Sequence, residues 1–248
     1  MPIKHLSAGL FILCLFASCK KSGGSNSTSN SNKLKTYIET DQNGSYHITD
    51  SFAVTYDNNN RIISVASPNL KFVYTYSDKS FTLDLYENSQ LSIHEIAWLN
   101  GIPYVDSTFQ FDNTSDTTTE SYVYSGNELT RKITYSYSSQ GTTIDTRDDY
   151  TYDNNGNGIK DVQTDGQGNI ITTSTYTYTN KPLNVTTSPI YFAPGSKYLP
   201  ATLQQSDYNG NQIAAITYSY LFDSSGRLTK ETDSVNTGEV ATKTYIYD

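Results

Sequence analysis

The sequence predicts an all-β protein, an antiparallel meander of repeated β-hairpins that forms a curved or barrel-like sheet. The first observation behind this is a repeat of Tyr-x-Tyr pairs at 74/76, 122/124, 135/137, 150/152, 176/178, 218/220 and 245/247. The second is a recurring polar turn, seen at Tyr56-Asp57-Asn58-Asn59-Asn60-Arg61-Ile62, Tyr152-Asp153-Asn154-Asn155-Gly156-Asn157 and Phe222-Asp223-Ser224-Ser225-Gly226-Arg227-Leu228. Asp, Asn and Gly tolerate the left-handed backbone that a tight turn needs. The third is that no segment sustains a 3.6-residue apolar period. The nearest, Leu91, His94, Glu95 and Trp98, adjoins Asn100-Gly101, a strong hairpin signal between Ile93–Leu99 and Ile102–Phe109, and so reads as strand.

Taken from the N-terminus, Lys4 and His5 precede an apolar run from Leu6 to Phe16. That run is shorter than the ~20 residues needed to cross a bilayer. With Ala17 and Ser18 ahead of Cys19, residues 1–18 read as a secretory signal peptide. Leu15-Phe16-Ala17-Ser18-Cys19 resembles a bacterial lipobox, with Phe16 where that motif has Leu. The resemblance implies a lipid on Cys19. Cys14 would be removed with the leader, leaving Cys19 as the one thiol of the exported chain. A lone cysteine in an exported protein needs an explanation other than a disulfide, and lipidation supplies one. After Cys19, residues up to 33 are Lys, Ser, Gly, Asn and Thr, so 19–33 read as a flexible tether with a root-mean-square reach of roughly 20 Å.

Residues 34–248 form one all-β repeat domain. Leu, Ile and Val are sparse while Tyr numbers 22, so the core must be largely aromatic. Loss of Lys4 with the leader leaves 16 basic against 25 acidic residues, a net charge of −9. That balance argues against nucleic-acid binding, which requires neutralisation of phosphates by Lys and Arg. Side chains two apart share a strand face. Leu70, Phe72, Tyr74 and Tyr76 are in phase, as are Leu129, Ile133, Tyr135 and Tyr137, and Ala214, Ile216, Tyr218, Tyr220 and Phe222. The tyrosines therefore travel with the aliphatic residues and point to the core, their hydroxyls reaching the sheet edge or each other. Thr, Ser and Lys take the opposite face, which is not the apolar band of a transmembrane barrel. Roughly a dozen to eighteen strands follow, and so many must curl, split or close.

Two resemblances rest on these residues. The unit Phe222-Asp223-Ser224-Ser225-Gly226-Arg227-Leu228-Thr229-Lys230-Glu231 resembles the tyrosine-aspartate repeats of the Rhs family. The domain as a whole resembles an uncharacterised family of Bacteroidota lipoproteins described as porin-like. That likeness rests on the lipobox, the aspartate-glycine hairpins and Gly195-Ser196-Lys197-Tyr198-Leu199-Pro200. It implies a barrel-like fold over residues 34–248 and attachment to the outer membrane, and brings no known activity. Which face of that membrane carries the domain is left open.

Several sites come into question. Asp153, Asn155, Asn157 and Asp161 sit at the alternating positions of a calcium loop, but the bidentate acid of the EF-hand pattern would fall on Thr164. The same residues also belong to the hairpin repeat. Gly156-Asn157-Gly158 and Gly166-Gln167-Gly168 precede no helix and read as turns rather than phosphate cradles. His47 and His94 have no cysteine partners for zinc. Asp148 and Asp149 should face opposite ways, and no Gly-x-Ser-x-Gly elbow occurs. Three Asp-Ser/Thr triplets, at 106–108, 116–118 and 233–235, resemble the O-glycosylation acceptor of Bacteroidota. Trp98, Tyr104 and the 184–200 loop are the expected ligand-binding residues, since loops on rigid scaffolds carry recognition. The expectation is a monomeric, non-enzymatic envelope lipoprotein without cofactor, binding a glycan, peptide or envelope partner. A hydrolase of envelope glycans or peptides and a purely structural envelope protein are the alternatives.

Overall fold

The computed structural model describes residues 33–99, 105, 107–112, 117–138, 141–185 and 196–248. The leader, Cys19 and the tether up to Asn32 lie outside the described residues, as do Tyr104 and the segment 186–195. Sixteen strands run β1 (Leu34–Asn43), β2 (Tyr46–Tyr56), β3 (Ile62–Ala66), β4 (Leu70–Tyr76), β5 (Ser80–Glu87), β6 (Gln90–Trp98), β7 (Ser107–Asp112) and β8 (Thr117–Ser125). They continue with β9 (Glu128–Ser138), β10 (Gly141–Tyr152), β11 (Gly158–Asp165), β12 (Ile170–Pro182), β13 (Tyr198–Asp207), β14 (Gln212–Phe222), β15 (Leu228–Val235) and β16 (Val240–Tyr247). Each pairs antiparallel with its chain neighbours, and β1 pairs with β16, closing the sheet into a barrel. Closure leaves no free edge, the device expected for so many strands.

Because the meander is unbroken, the ends of all even strands and the starts of all odd strands lie at one end of the barrel. At that end an interior-facing apolar residue is buried on six of the eight odd strands, Leu34, Ile62, Phe81, Leu129, Leu199 and Leu228. Val105 joins them just ahead of β7. Tyrosines at the ends of even strands then donate to backbone carbonyls at the start of the preceding strand. Tyr56 Oη bonds Leu34 O at 2.9 Å, Tyr76 bonds Ile62 O at 2.5 Å, Tyr124 bonds Val105 O at 2.7 Å and Tyr152 bonds Leu129 O at 2.8 Å. Tyr178 bonds Gly158 O at 2.6 Å, Tyr220 bonds Pro200 O at 2.8 Å and Tyr247 bonds Leu228 O at 2.8 Å. The second tyrosine is therefore a clasp in six of the seven Tyr-x-Tyr pairs, and Tyr56 is a clasp outside them. The clasp hydroxyl goes to a carbonyl rather than to the sheet edge or another tyrosine, since a buried phenol needs an acceptor.

The aspartate turns share one geometry. Asp223 Oδ1 accepts from the N–H groups of Ser225 and Arg227 at 2.9 Å each, and Oδ2 accepts from Arg227 Nε at 2.7 Å. Asp57 holds Asn59 and Arg61 in the same way, and Asp153, Asp165 and Asp207 use Asn at the last position. The fourth residue has positive φ, 79° at Gly226 and 63° at Asn60, which explains the preference for Gly and Asn there. Each arginine then lies over a clasp ring, Arg61 Cζ 4.4 Å from the Tyr76 centroid and Arg227 Cζ 4.9 Å from that of Tyr247.

Six of the seven tyrosine pairs face inward. The exception is Tyr135/Tyr137. Leu129 is inside at 2% exposure, but the pairing shifts register between Val123 and Tyr124 opposite β9, so Ile133 and Tyr135 turn outward. Tyr137 is 48% exposed. A bulge reverses the phase that strict alternation would carry forward. The strand limits expected beside Asn100-Gly101 also change, because β6 stops at Trp98 and β7 begins at Ser107, directly opposite it. Asn100 and Gly101 themselves lie outside the described residues.

Candidate functional site in the acid-lined barrel interior

Midway along the barrel the inward positions change from apolar to charged. On one wall Lys132 (β9) is paired with Asp148 (β10), and Glu120 (β8), paired with Thr134, lies diagonally across from Lys132. Lys132 Nζ stands 3.2 Å from Glu120 Oε1 and 3.6 Å from Asp148 Oδ2. Tyr122 and Thr134 donate to Glu120, and Gln163 Nε2 donates to Asp148 Oδ1 at 3.0 Å. Glu95 (β6) and Asp161 (β11) flank this group. Burial pushes the Glu95 carboxyl up to about 7, with the Glu120 charge adding to the effect and Lys132 opposing it. Burial likewise pushes Asp161 up to about 7, aided by Asp148, and its Oδ1 has no hydrogen-bond partner among the described residues.

A second group sits on the opposite wall, where the chain closes. Glu39 (β1) faces Lys243 (β16), their charged atoms 3.7 Å apart. Tyr245 Oη donates to Glu231 Oε2 (β15) at 3.0 Å. Asp41 and Asp50 lie beside Glu39, and Asp233 beside Glu231. Burial raises Asp233 to about 7, and the adjacent Glu231 charge raises it further while Lys243 opposes. Glu39 and Asp41 are raised for the same first reason, burial. The interior can thus hold protons near neutral pH, with one lysine on each wall compensating part of the charge.

The expected site residues are dispersed by the fold. Asp153, Asn155 and Asn157 form a hairpin turn. Asp153 Oδ1 accepts from the Asn155 and Asn157 N–H groups, Oδ2 accepts from Asn157 Nδ2 at 2.9 Å, and Asn157 Oδ1 accepts from Tyr198 N at 3.2 Å. Burial opposes ionisation of Asp153, but the bonds from Asn157 and Asn155 outweigh it and hold the carboxyl below its usual range. Asp161 lies on β11 in the interior acid group, paired with Tyr150 rather than with the turn. Among the described residues no group of three or more His, Cys, Asp or Glu is arranged to hold a metal ion. Trp98 is 41% exposed on the outer face. The described arms of the 184–200 loop pack onto the tyrosine end: Val185 is buried in the core, Asn184 Nδ2 donates to Gly226 O, and Ser196 Oγ donates to Tyr178 Oη at 2.7 Å. His94 pairs with Asp84 on the outer face, Nδ1 to Oδ1 2.5 Å. Asp148 is 4% exposed inside while Asp149 lies outside with Arg131 and Arg147, as alternation requires.

The acid groups escape notice when each strand is read alone, because register assembles them. A partial signal exists: Glu120, Asp148 and Lys243 each stand two residues before an inward Tyr-x-Tyr pair and so share its face.

No protein-family model matches the sequence, and no match to a curated protein is found. Solved structures do resemble it. A porin-like protein from Bacteroides uniformis superposes with a TM-score of 0.64 at 14% identity, covering 88% of this chain and 99% of that one. A porin-like protein from Bacteroides vulgatus gives 0.61 at 10% identity, covering 87% and 99%. Likeness at such low identity is likeness of fold, and it shows that this chain carries the closed antiparallel barrel of those porin-like proteins.

Proposed function

We propose that the chain is a non-enzymatic envelope lipoprotein, anchored to the outer membrane through Cys19, whose barrel is a binding or scaffold module for a glycan, peptide or envelope partner. The observation that carries this is the closed sheet itself, one end of which is packed with buried side chains and tyrosine clasps. Such an end makes a rigid base for a binding face and a poor passage for solutes. The outer face supports a barrel standing beside the bilayer. Thr173, Thr175 and Thr177, Thr242 and Thr244, and the charged Asp84, Arg131, Arg147 and Asp149 interrupt its apolar residues, such as Trp98, Tyr135 and Leu221. A lipid-facing barrel needs an apolar band ≈ 25 Å tall.

The anchor reading draws on the lipobox-like Leu15–Cys19 and the single thiol left after cleavage. Two or more acyl chains hold a protein stably on a membrane. Cells expressing the chain and fed labelled palmitate should incorporate label, and Cys19→Ala should abolish it and release the protein from the membrane fraction. Label persisting in the Cys19→Ala chain would overturn the anchor.

The raised carboxyls of Glu95 and Asp161, close to Glu120 and Asp148, favour a second reading, hydrolysis of an envelope glycan. Glycosidases pair a raised carboxyl acid with an ionised carboxylate. The binding reading is preferred because Glu120 and Asp148 are engaged by Lys132, Tyr122 and Gln163.

A further inference from the structure

The two ends of the barrel differ in kind. Among the described residues, the end opposite the tyrosine clasps bears nine of the thirteen exposed large apolar side chains, Tyr46 (60% exposed), Ile48, Leu91, Ile170, Tyr208 (72%) and Ile213 among them. These six come from the starts of β2, β6, β12 and β14 and from the turn before β14, so they are spread around the rim rather than gathered on one strand. Scattered single apolar residues are ordinary on a protein surface. A ring of them at one end, and buried clasps at the other, is a polarity that points to a contact face.

Charge follows the same axis. Asp41, Glu87, Asp165, Asp207 and Glu239 lie within three residues of the turns at the apolar rim, where Lys71 is the lysine. Asp165 and Asp207 are held ionised: the side chains of Asn169 and Asn211 donate to them, and backbone N–H groups of their own turns add to that. The clasp end carries mixed charge, Lys33, Lys35, Lys79, Lys181 and Lys197 with Arg61 and Arg227 beside Asp57, Asp78, Glu128, Asp153, Asp223 and Asp248. The described chain begins at the clasp end, with Lys33 and Leu34, and the apolar rim lies at the opposite end.

We propose that this rim is a docking surface for a basic polypeptide segment carrying apolar side chains, which would seat among the rim's Tyr, Ile and Leu residues while its Lys or Arg meet the surrounding carboxylates. The docking surface does not rest on the anchor reading. Complementary charge would steer such a partner and the apolar contacts would hold it.

The test uses residues 19–248 carrying Cys19→Ala, a form without the thiol to which the anchor reading assigns the lipid. The probe is a fluorescent peptide of interspersed Lys and Leu, with Ser-for-Lys and Glu-for-Lys counterparts, followed by anisotropy. The expected result is binding of the Lys peptide over the other two, weakened by added salt. Combined Tyr46→Ser, Tyr208→Ser and Ile213→Ser should weaken it about tenfold. Leu221→Ser with Ile246→Ser, exposed at the clasp end, should leave it unchanged. Equal binding of all three peptides, or equal loss in both variants, would overturn the proposal. So would a concentration-dependent dimer in sedimentation, or attachment to anionic vesicles, that the rim variant abolishes, since the occupant would then be a second copy or a bilayer.

Discussion

Leu228→Ala is expected to destabilise the barrel by about 2–5 kcal/mol, read as a fall in the denaturant midpoint at unchanged slope. Leu228 is 0% exposed and belongs to the core cluster that includes Leu34, Val185, Leu199 and Tyr245. Among the described neighbours Tyr220, Tyr245 and Tyr247 are held by their hydroxyls, which limits how far the cluster can close the gap. Tyr247→Phe, which keeps the ring and removes the bond to Leu228 O, should cost about 1 kcal/mol. Leu221→Ala, at 62% exposure on the outer face of the neighbouring strand, should fall within ~0.5 kcal/mol of the native protein. Similar losses for Leu228→Ala and Leu221→Ala would show that the clasp end is not a packed core.

The second large effect is in pH. Glu95, Asp161 and Asp233 are raised to about 7, so the folded chain binds more protons than the unfolded chain between the ordinary carboxyl range and that value. Stability should therefore fall as pH rises from about 4 to 7 and level off above. At 1.36 kcal/mol per unit, the Asp161 shift corresponds to at most about 4 kcal/mol. The turn aspartates act the other way and lower down. Asp165, Asp207 and Asp223 are depressed by their turn bonds, so their contribution is lost as pH falls below about 4. The maximum should lie near pH 4–5. Asp161→Asn should raise the melting temperature at pH 8, change it little at pH 4, and flatten the slope between. A native profile that is flat or rising from pH 4 to 7 would mean that the interior carboxyls are solvated and ionised throughout.

Much of the fold can be read from local chemistry. The Asp-x-x-Gly-x-x turns are legible because one carboxylate and one left-handed residue suffice to build them, as at Asp153–Asn157 and Asp223–Arg227. The inward face is legible at Leu70, Phe72, Tyr74 and Tyr76 because the strand is unbroken there. It is not legible at Ile133, Tyr135 and Tyr137, where the unpaired residue of a bulge inverts the alternation and nothing in the local composition announces it. The turn reading also competes with the calcium reading of Asp153, Asn155 and Asn157, since both use the same oxygens. Asp161, four residues beyond Asn157, belongs to the interior wall.

The sequence alone determined that this chain would be a β meander with tyrosine-rich strands and aspartate turns, since period and turn chemistry are properties of neighbours in the chain. Tertiary structure decided that the sheet closes between β1 and β16 and that every clasp falls at one end. It also decided that Glu95, Glu120, Lys132, Asp148 and Asp161 share one wall. These depend on the register of strands brought together across the sheet, and register is set by closure and bulges that no single strand contains.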